Sequence, residues 1–214
     1  MGPVAALLGF VYLLQWYIHG DLHPGDPIFT VQQPPLVMQG GDPYIRALMR
    51  TISASEANGN RPYSLLYGGQ QVQDLRRHPE ICVTIVTGPN KGNCSTAAGR
   101  YQIINRTWFE IAPRYHPHPP KLMFWSSYSF EAQYQDIVVY GWLKDTKVWG
   151  TDISQLLQKG KIKDVLRLLS PTWTSLGYGI ETNSISSSLP SIYAKMLQEE
   201  LKAARPASVT TPQL

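Results

Sequence analysis

Glu56 is the acidic residue of this sequence whose position best suits proton transfer. It ends an amphipathic helical pattern, and the Ala-Asn-Gly-Asn of residues 57–60 breaks that pattern. The C-terminal end of a helix carries partial negative charge, so a carboxyl group that is partly buried there should hold its proton to higher pH. A general acid needs this property, although a solvated surface carboxylate is the common alternative for a Glu in a helix.

The segments that follow Glu56 are together rich in side chains that stack on sugars and hydrogen-bond to them. These segments are residues 63–69 (YSLLYGG), 76–79 (RRHP) and 95–108 (STAAGRYQIINRTW). Ordinary packing and turn formation account for any one of them alone. Their combination with a Glu at a helix end indicates a carbohydrate site.

Hydrophobic periodicity predicts the helices that must position these residues. The first helix begins with Asp42 as its N-cap and Pro43 at its first position, and it runs to Glu56. Its apolar face consists of Ile45, Leu48, Met49 and Ile52. Further helices are expected over residues 130–141, 152–160 and 162–169 and from Pro190 onward.

Residues 81–94 (ICVTIVTGPNKGNC) do not follow the helical pattern. Their β-branched run ends at a Gly-Pro-Asn turn, which predicts a strand that enters a hairpin or a long loop. The expected fold class is therefore α+β and predominantly α. Cys82 and Cys94 could bridge the two arms in an oxidising compartment, or stay free as buried thiols. A zinc site needs four grouped ligands, so we expect no metal.

Composition limits the class of partner. The chain has 214 residues, of which 43% are hydrophobic, and this is enough for one sizeable core. Its net charge of +4 suits an anionic partner such as a cell wall, a nucleic acid or lipid headgroups. The basic residues are spread from Arg46 to Arg205 without a cluster, which argues against a nucleic acid.

We predict four segments along the chain. Residues 1–18 form a hydrophobic anchor or signal segment, in which residues 3–18 carry no charge but are short for a bilayer span of ~20 residues. Because a basic n-region and a cleavage site are missing, an uncleaved membrane anchor is favoured. Residues 19–41 are expected to form a Pro/Gly-rich linker, residues 42–203 the catalytic domain and residues 204–214 a flexible tail.

The order of these motifs resembles the phage lambda endolysin family. The block of residues 95–108 is the specific part, since many lysozyme-like families share a Glu motif of this kind. The resemblance spans residues 43–200, nearly all of the expected domain. The matching positions are Ser55, Glu56, Tyr63, Ser64, Gly68, Gly69, His78, Pro79, Ser95, Thr96, Ala97, Ala98, Gly99, Arg100, Tyr101, Gln102, Trp108, Phe130, Gln133, Asp136, Trp173, Thr174, Ser175 and Leu176.

This resemblance implies a lysozyme-like fold with a small β-hairpin beside the active-site cleft. It also implies a lytic transglycosylase that cleaves the β-1,4 bond from N-acetylmuramic acid to N-acetylglucosamine in peptidoglycan without water. In such enzymes one Glu acts first as acid and then as base, leaving a 1,6-anhydro end, and here that residue is Glu56. No cofactor is implied. The expected protein is a monomer in the bacterial periplasm or cell envelope.

Within the resembling blocks, six residues are candidates for binding the glycan strand. Gln102 offers a donor and an acceptor to an N-acetyl group, and Tyr101 can stack beside it. Arg100 can meet a carboxylate of the substrate or hold a neighbouring acid. The other candidates are Ser64, Tyr67 and Tyr178. The sequence departs from the family pattern at Tyr178, because residues 177–179 follow Leu176 where a Pro-Gly turn is expected.

Two alternatives to a transglycosylase stay open. A muramidase that hydrolyses the same bond would normally need a second carboxylate, about 5–5.5 Å or 6.5–9.5 Å from the first. Asp74 is the next acidic residue after Glu56, but it precedes Arg76 and Arg77, which favours an ion pair or a loop cap. The other alternative is a module that binds the cell wall without cleaving it, and the presence of Glu56 argues against it.

Overall fold

The computed structural model describes residues 33–86, 88, 90–118, 127–178 and 185–205. The predicted anchor and residues 206–214 lie outside these ranges, and none of the helices within them is long and apolar enough to cross a membrane. The described chain contains seven α-helices and two short strands. They are α1 (Pro43–Glu56), β1 (Val83–Thr84), β2 (Cys94–Ser95), α2 (Asn105–Tyr115), α3 (Ala132–Lys144), α4 (Thr146–Trp149), α5 (Ile153–Gln158), α6 (Ile162–Leu169) and α7 (Leu189–Ala203).

The core is built around α1, which begins and ends as the sequence predicts. The side chain of Asp42 accepts a hydrogen bond from the backbone N–H of Tyr44 at 2.9 Å, and Pro43 occupies the first turn. The predicted apolar face is fully buried, with Ile45, Leu48, Met49 and Ile52 each 0% exposed. Because the helix ends at Glu56, the core fixes the backbone of that residue.

Ion pairs join α1 to α7, the last helix. Arg46 Nε lies 2.6 Å from Glu200 Oε2, and Arg50 contacts Glu199 at 2.6 Å and Glu200 at 3.2 Å. The side chains of Arg50 and Glu200 are each only 5% exposed, so water screens this pair little. The first and last helices of the domain are therefore joined, and the first of them ends at Glu56.

Two helices, α2 and α4, are missing from the sequence prediction. Trp108, Ile111 and Ala112 of α2 are buried at helical spacing, so the periodic signal was present. The boundary signals were not, because α2 has no side-chain cap at its start and contains Pro113 near its end. Helix α4 is a single turn of four residues, too short to give a period.

The two-residue strands confirm the small β element expected near residues 81–94. They pair antiparallel, with Val83 opposite Ser95 and Thr84 opposite Cys94. Cys82 and Cys94 form a disulfide with their Cα atoms 5.4 Å apart, which is one of the two states that the sequence left open. The fold is predominantly α with one small antiparallel β element, as predicted.

The chain packs onto the core before α1 begins, which corrects the end of the predicted linker over residues 19–41. Leu36 and Met38 are only 5% and 8% exposed. A side-chain oxygen of Asp136 accepts from the backbone N–H of Val37 at 2.7 Å and of Met38 at 3.2 Å. The proline and glycine content suggested a tether, but hydrogen bonds to a buried carboxylate fix its last part.

Candidate active site

Glu56 lies half-buried at the C-terminal end of α1. The last turn of α1 contains no basic residue, so no cation on this helix offsets the negative end of its dipole. This is the position that the sequence predicts, and it is one in which a carboxyl group can exchange a proton with a bound molecule.

A serine from a distant part of the chain contacts Glu56. Ser175 Oγ donates to Glu56 Oε1 and also lies 3.0 Å from Ser55 Oγ. Ser55 Oγ donates in turn to the carbonyl oxygen of Ile52 at 2.9 Å. Ser175 belongs to a 3-10 turn, Thr174–Leu176, that packs against α1. Ser175 is one of the positions that match the family, but its sequence context predicts no role for it.

The fold brings together the segments that the sequence analysis singled out. Residues 63–69 and 95–108 meet in an antiparallel bridge between Leu66 and Ala98. His78, from the third segment, binds the main chain of the 95–108 segment at 2.8 Å. These three segments therefore form one structural unit.

Gly99 is required at the centre of this unit. Its φ of +74° lies in the left-handed region, and an added Cβ would overlap Gln135 Oε1 and approach Phe130 to 2.9 Å. That same Gln135 oxygen accepts the backbone N–H of Arg100 at 2.9 Å. A larger residue at position 99 would push Gln135 out of place and break this hydrogen bond.

Three predicted substrate contacts keep partly exposed positions: Ser64, Tyr67 and Gln102. Ser64 Oγ donates to Gln71 Oε1 at 2.5 Å. Gln102 adopts a left-handed φ of 45°, and its amide nitrogen donates to two backbone carbonyls at 3.0 and 3.1 Å. Since this nitrogen holds the local turn, the amide oxygen is the part of Gln102 that suits an N-acetyl group.

Arg100 and Tyr101 are buried, which corrects their predicted role as substrate contacts. Arg100 is 0% exposed and donates to the carbonyl oxygens of Pro34 at 2.6 Å and Pro35 at 3.1 Å. Tyr101 is 1% exposed, and its hydroxyl donates to Asp136 Oδ1 at 2.6 Å. Both side chains hold the segment before α1 and helix α3 in place.

Asp136 is the centre of a buried network that sequence reasoning missed. It accepts from the hydroxyls of Tyr63 at 2.7 Å and Tyr101 at 2.6 Å. Burial, together with the charge of Asp136, raises the pKa of Tyr63 above its usual range, so this hydroxyl stays protonated as a donor. Asp136 shares a buried helical face with Val139 and Leu143. A carboxylate within such an apolar face is the sequence feature that could have indicated a buried hydrogen-bond network.

Tyr178, another candidate for binding the glycan strand, lies on the surface. The residue is 49% exposed and its φ is 64°. The guanidinium group of Arg167 lies over its ring, 4.9 Å from the centroid. Tyr178 follows Ser175 by three positions, and its contact with substrate stays a prediction.

Asp74 forms both the ion pair and the loop cap that its sequence context indicated. Its carboxylate accepts from Arg76 Nε at 3.0 Å, from Nη2 at 2.7 Å and from the backbone N–H at 3.0 Å. These hydrogen bonds lower the pKa of Asp74 to about 2. Asp74 is exposed, and both of its carboxylate oxygens accept hydrogen bonds from Arg76.

Comparison with known proteins places this geometry in a family. The family model named Endolysin matches residues 46–198. A solved structure of bacteriophage lambda lysozyme complexed with a chitohexasaccharide is 24% identical, with a TM-score of 0.54 over 74% of this chain and 97% of that one. A second structure, lysozyme from bacteriophage lambda, is 22% identical, with a TM-score of 0.53 over 76% and 97%. No curated protein sequence matches the chain.

At these identities the two solved structures show the fold alone. They confirm the predicted lysozyme-like class, since each is covered almost completely. The family model reaches from α1 into α7 and covers well over half of the 214 residues. The chain therefore belongs to the Endolysin family.

Proposed function

We propose that this endolysin is a peptidoglycan lytic transglycosylase and that Glu56 is its catalytic residue. The observation that carries the proposal is the half-buried Glu56 at the end of α1, held by the hydroxyl of Ser175. Membership of the Endolysin family supports the cell wall as the target. The chitohexasaccharide in the similar lambda lysozyme structure supports a glycan strand as the substrate.

The proposed reaction moves one proton onto the substrate and one proton back. Glu56 protonates the oxygen of the β-1,4 bond as the bond between that oxygen and the anomeric carbon of N-acetylmuramic acid breaks. The C6 hydroxyl oxygen of the same sugar then attacks the anomeric carbon, and the Glu56 carboxylate takes its proton. The product carries a 1,6-anhydro end, no water is consumed, and Glu56 returns to its protonated state.

The surroundings of Asp74 and Asp136 support a mechanism that uses Glu56 alone. Hydrolysis normally requires a second carboxylate as a nucleophile or as a base for water. Asp74 is exposed and bound through both oxygens to Arg76, and Asp136 is 0% exposed inside its hydrogen-bond network. Asp74 and Asp136 are thus both engaged in other contacts, which supports the transglycosylase over the muramidase.

The chemical nature of the product ends tests this choice. Purified sacculi digested with the full chain are analysed by mass spectrometry, and a digest by a hydrolytic muramidase serves as the reference. We expect muropeptides that are lighter by one water than the muramidase products, because the end is an anhydro sugar. Reducing ends alone would contradict the transglycosylase and support the muramidase. An undigested sacculus that still binds the protein would support a wall-binding module.

A further inference from the structure

We infer that Ser175 is a positioning residue for Glu56 and that its hydroxyl serves both protonation states of that carboxyl group. The inference rests on the proposed function of Glu56. It starts from one hydroxyl group that lies within hydrogen-bond distance of two acceptors, Glu56 Oε1 and Ser55 Oγ. One hydroxyl has one proton, so it can donate to only one of them at a time.

The acceptor role of Ser55 follows from its own partner. Ser55 Oγ donates its proton to the carbonyl oxygen of Ile52 at 2.9 Å, and that carbonyl can only accept. The lone pairs of Ser55 Oγ therefore face Ser175, 3.0 Å away. Ser55 and Ser175 are only 6% and 2% exposed, so water does not readily replace either partner.

The chain of hydroxyls can satisfy Glu56 in either state. When Glu56 is ionised, Ser175 donates to its carboxylate oxygen. When Glu56 is protonated, Ser175 turns its proton to Ser55 and its oxygen can accept from the carboxyl group. Rotation of this hydroxyl keeps Ser175 hydrogen-bonded as the proton of Glu56 leaves and returns. The hydroxyls of Ser55 and Ser175 each keep a hydrogen-bond partner in both states. Loss of a partner would cost free energy, because both hydroxyls are buried.

The backbone around Ser175 holds the hydroxyl in place before any substrate binds. Ser186 Oγ donates to the carbonyl oxygen of Ser175 at 3.2 Å. Leu176, the next residue, is fully buried, and Trp173 Nε1 donates to the carbonyl oxygen of Tyr101 at 2.9 Å. The turn is thus fixed to the segment of residues 95–108, so the position of the hydroxyl depends on the packed core.

Two substitutions with opposite expected effects test the inference. Ser175→Ala removes the donor that favours ionised Glu56, so the alkaline limb of the kcat profile against pH should move to higher pH. Ser55→Ala leaves Ser175 with Glu56 as its acceptor, so the same limb should move to lower pH. We expect Ser175→Ala to lower kcat roughly tenfold to a hundredfold, the size of a lost hydrogen bond to a charged group, with KM little changed.

Controls separate this role from a structural one. Ser175→Thr keeps the hydroxyl and should restore most of kcat. Ser170→Ala removes another buried serine, whose Oγ donates to the carbonyl oxygen of Arg167, and should leave both kcat and the pH profile unchanged. Circular dichroism and melting temperature report folding, and Ser55→Ala carries the test if Ser175→Ala does not fold.

The outcomes are distinguishable from those for the proposed function. An unshifted alkaline limb in folded Ser175→Ala would overturn the positioning role, and an unshifted limb in Ser55→Ala would overturn the exchange between two acceptors. Either result leaves Glu56 as the acid if Glu56→Gln is inactive. Cleavage by Glu56→Gln would instead remove the proposed function, on which the inference rests.

Discussion

His78, in the segment of residues 76–79, shows how closely a single buried residue is matched to its hydrogen-bond partners. It is 1% exposed, its Nε2 faces the carbonyl oxygen of Ile103 at 2.8 Å, and its Nδ1 accepts from the backbone N–H of Glu80 at 3.1 Å. A carbonyl can only accept and a backbone N–H can only donate, so the neutral tautomer with its proton on Nε2 fits the site.

This match predicts that acid destabilises the protein through His78. Burial lowers the pKa of His78, so near pH 6 the unfolded chain binds more protons than the folded one. The contribution of the neutral ring is present above the unfolded pKa of about 6.5 and is lost as the pH falls below it. We expect the melting temperature of the wild type to fall between pH 7.5 and 5.

The His78→Gln variant isolates this contribution. It keeps a donor for the carbonyl oxygen of Ile103 but cannot titrate, so it should be less stable at pH 7.5 and lose less stability on acidification. Burial also lowers the pKa of His116, so a residual slope is expected. Parallel pH dependences of wild type and variant, measured by thermal unfolding, would show that His78 does not contribute.

At the scale of elements, the buried ion pairs between α1 and α7 should be needed for stability. Arg50→Met removes the contacts with Glu199 and Glu200 and leaves Glu200, 5% exposed at its side chain, with Arg46 alone. We expect the free energy of unfolding, measured in urea, to fall by roughly 1.5–3 kcal/mol, the size of a lost hydrogen bond to a charged group, because Arg46 still pairs with Glu200.

An exposed ion pair on α2 provides the matched control. Arg106 and Glu110 are paired at 3.2 Å, with side chains 84% and 63% exposed. Arg106→Met should change the free energy of unfolding by about 0.5 kcal/mol or less. If Arg50→Met were no more destabilising than Arg106→Met, the pairs between α1 and α7 would not hold these helices together.

The disulfide should stabilise the hairpin formed by β1 and β2. Cys82 and Cys94 are 12 positions apart. Closing a loop of this size lowers the entropy of the unfolded chain, which raises the free energy of unfolding by about 3 kcal/mol at most. We expect a reducing agent to lower the melting temperature of the wild type and to leave the Cys82→Ser/Cys94→Ser variant unchanged. Equal melting temperatures of the wild type with and without reductant would contradict a stabilising bridge.

At the scale of the whole molecule, local patterns in the sequence predicted the elements better than their contacts. The apolar period and the Asp42 cap located α1, and the β-branched run located β1. Helix α2 was missed because its polar neighbourhood was interpreted as a binding motif and Pro113 obscured its end. A period of 3.6 residues identifies a helix, but it does not say what a loop residue beside it will contact.

The sequence located a residue most closely where one element determines its position. Glu56 ends α1, so its place followed from the helix. Arg100 and Tyr101 lie in a loop, and their partners, Pro34 and Asp136, are distant along the chain. The contact of Ser175 with Glu56 joins positions that are 119 residues apart, which composition and spacing do not show.

Cleavage of purified sacculi by Glu56→Gln is the most direct test of the proposed reaction. The amide keeps the shape of the side chain but has no proton to transfer, so we expect no release of muropeptides and an unchanged melting temperature. Glu110→Gln makes the same change on the exposed face of α2 and should cleave at the wild-type rate. Muropeptide release by Glu56→Gln at the wild-type rate would contradict the assignment of Glu56 as the catalytic acid.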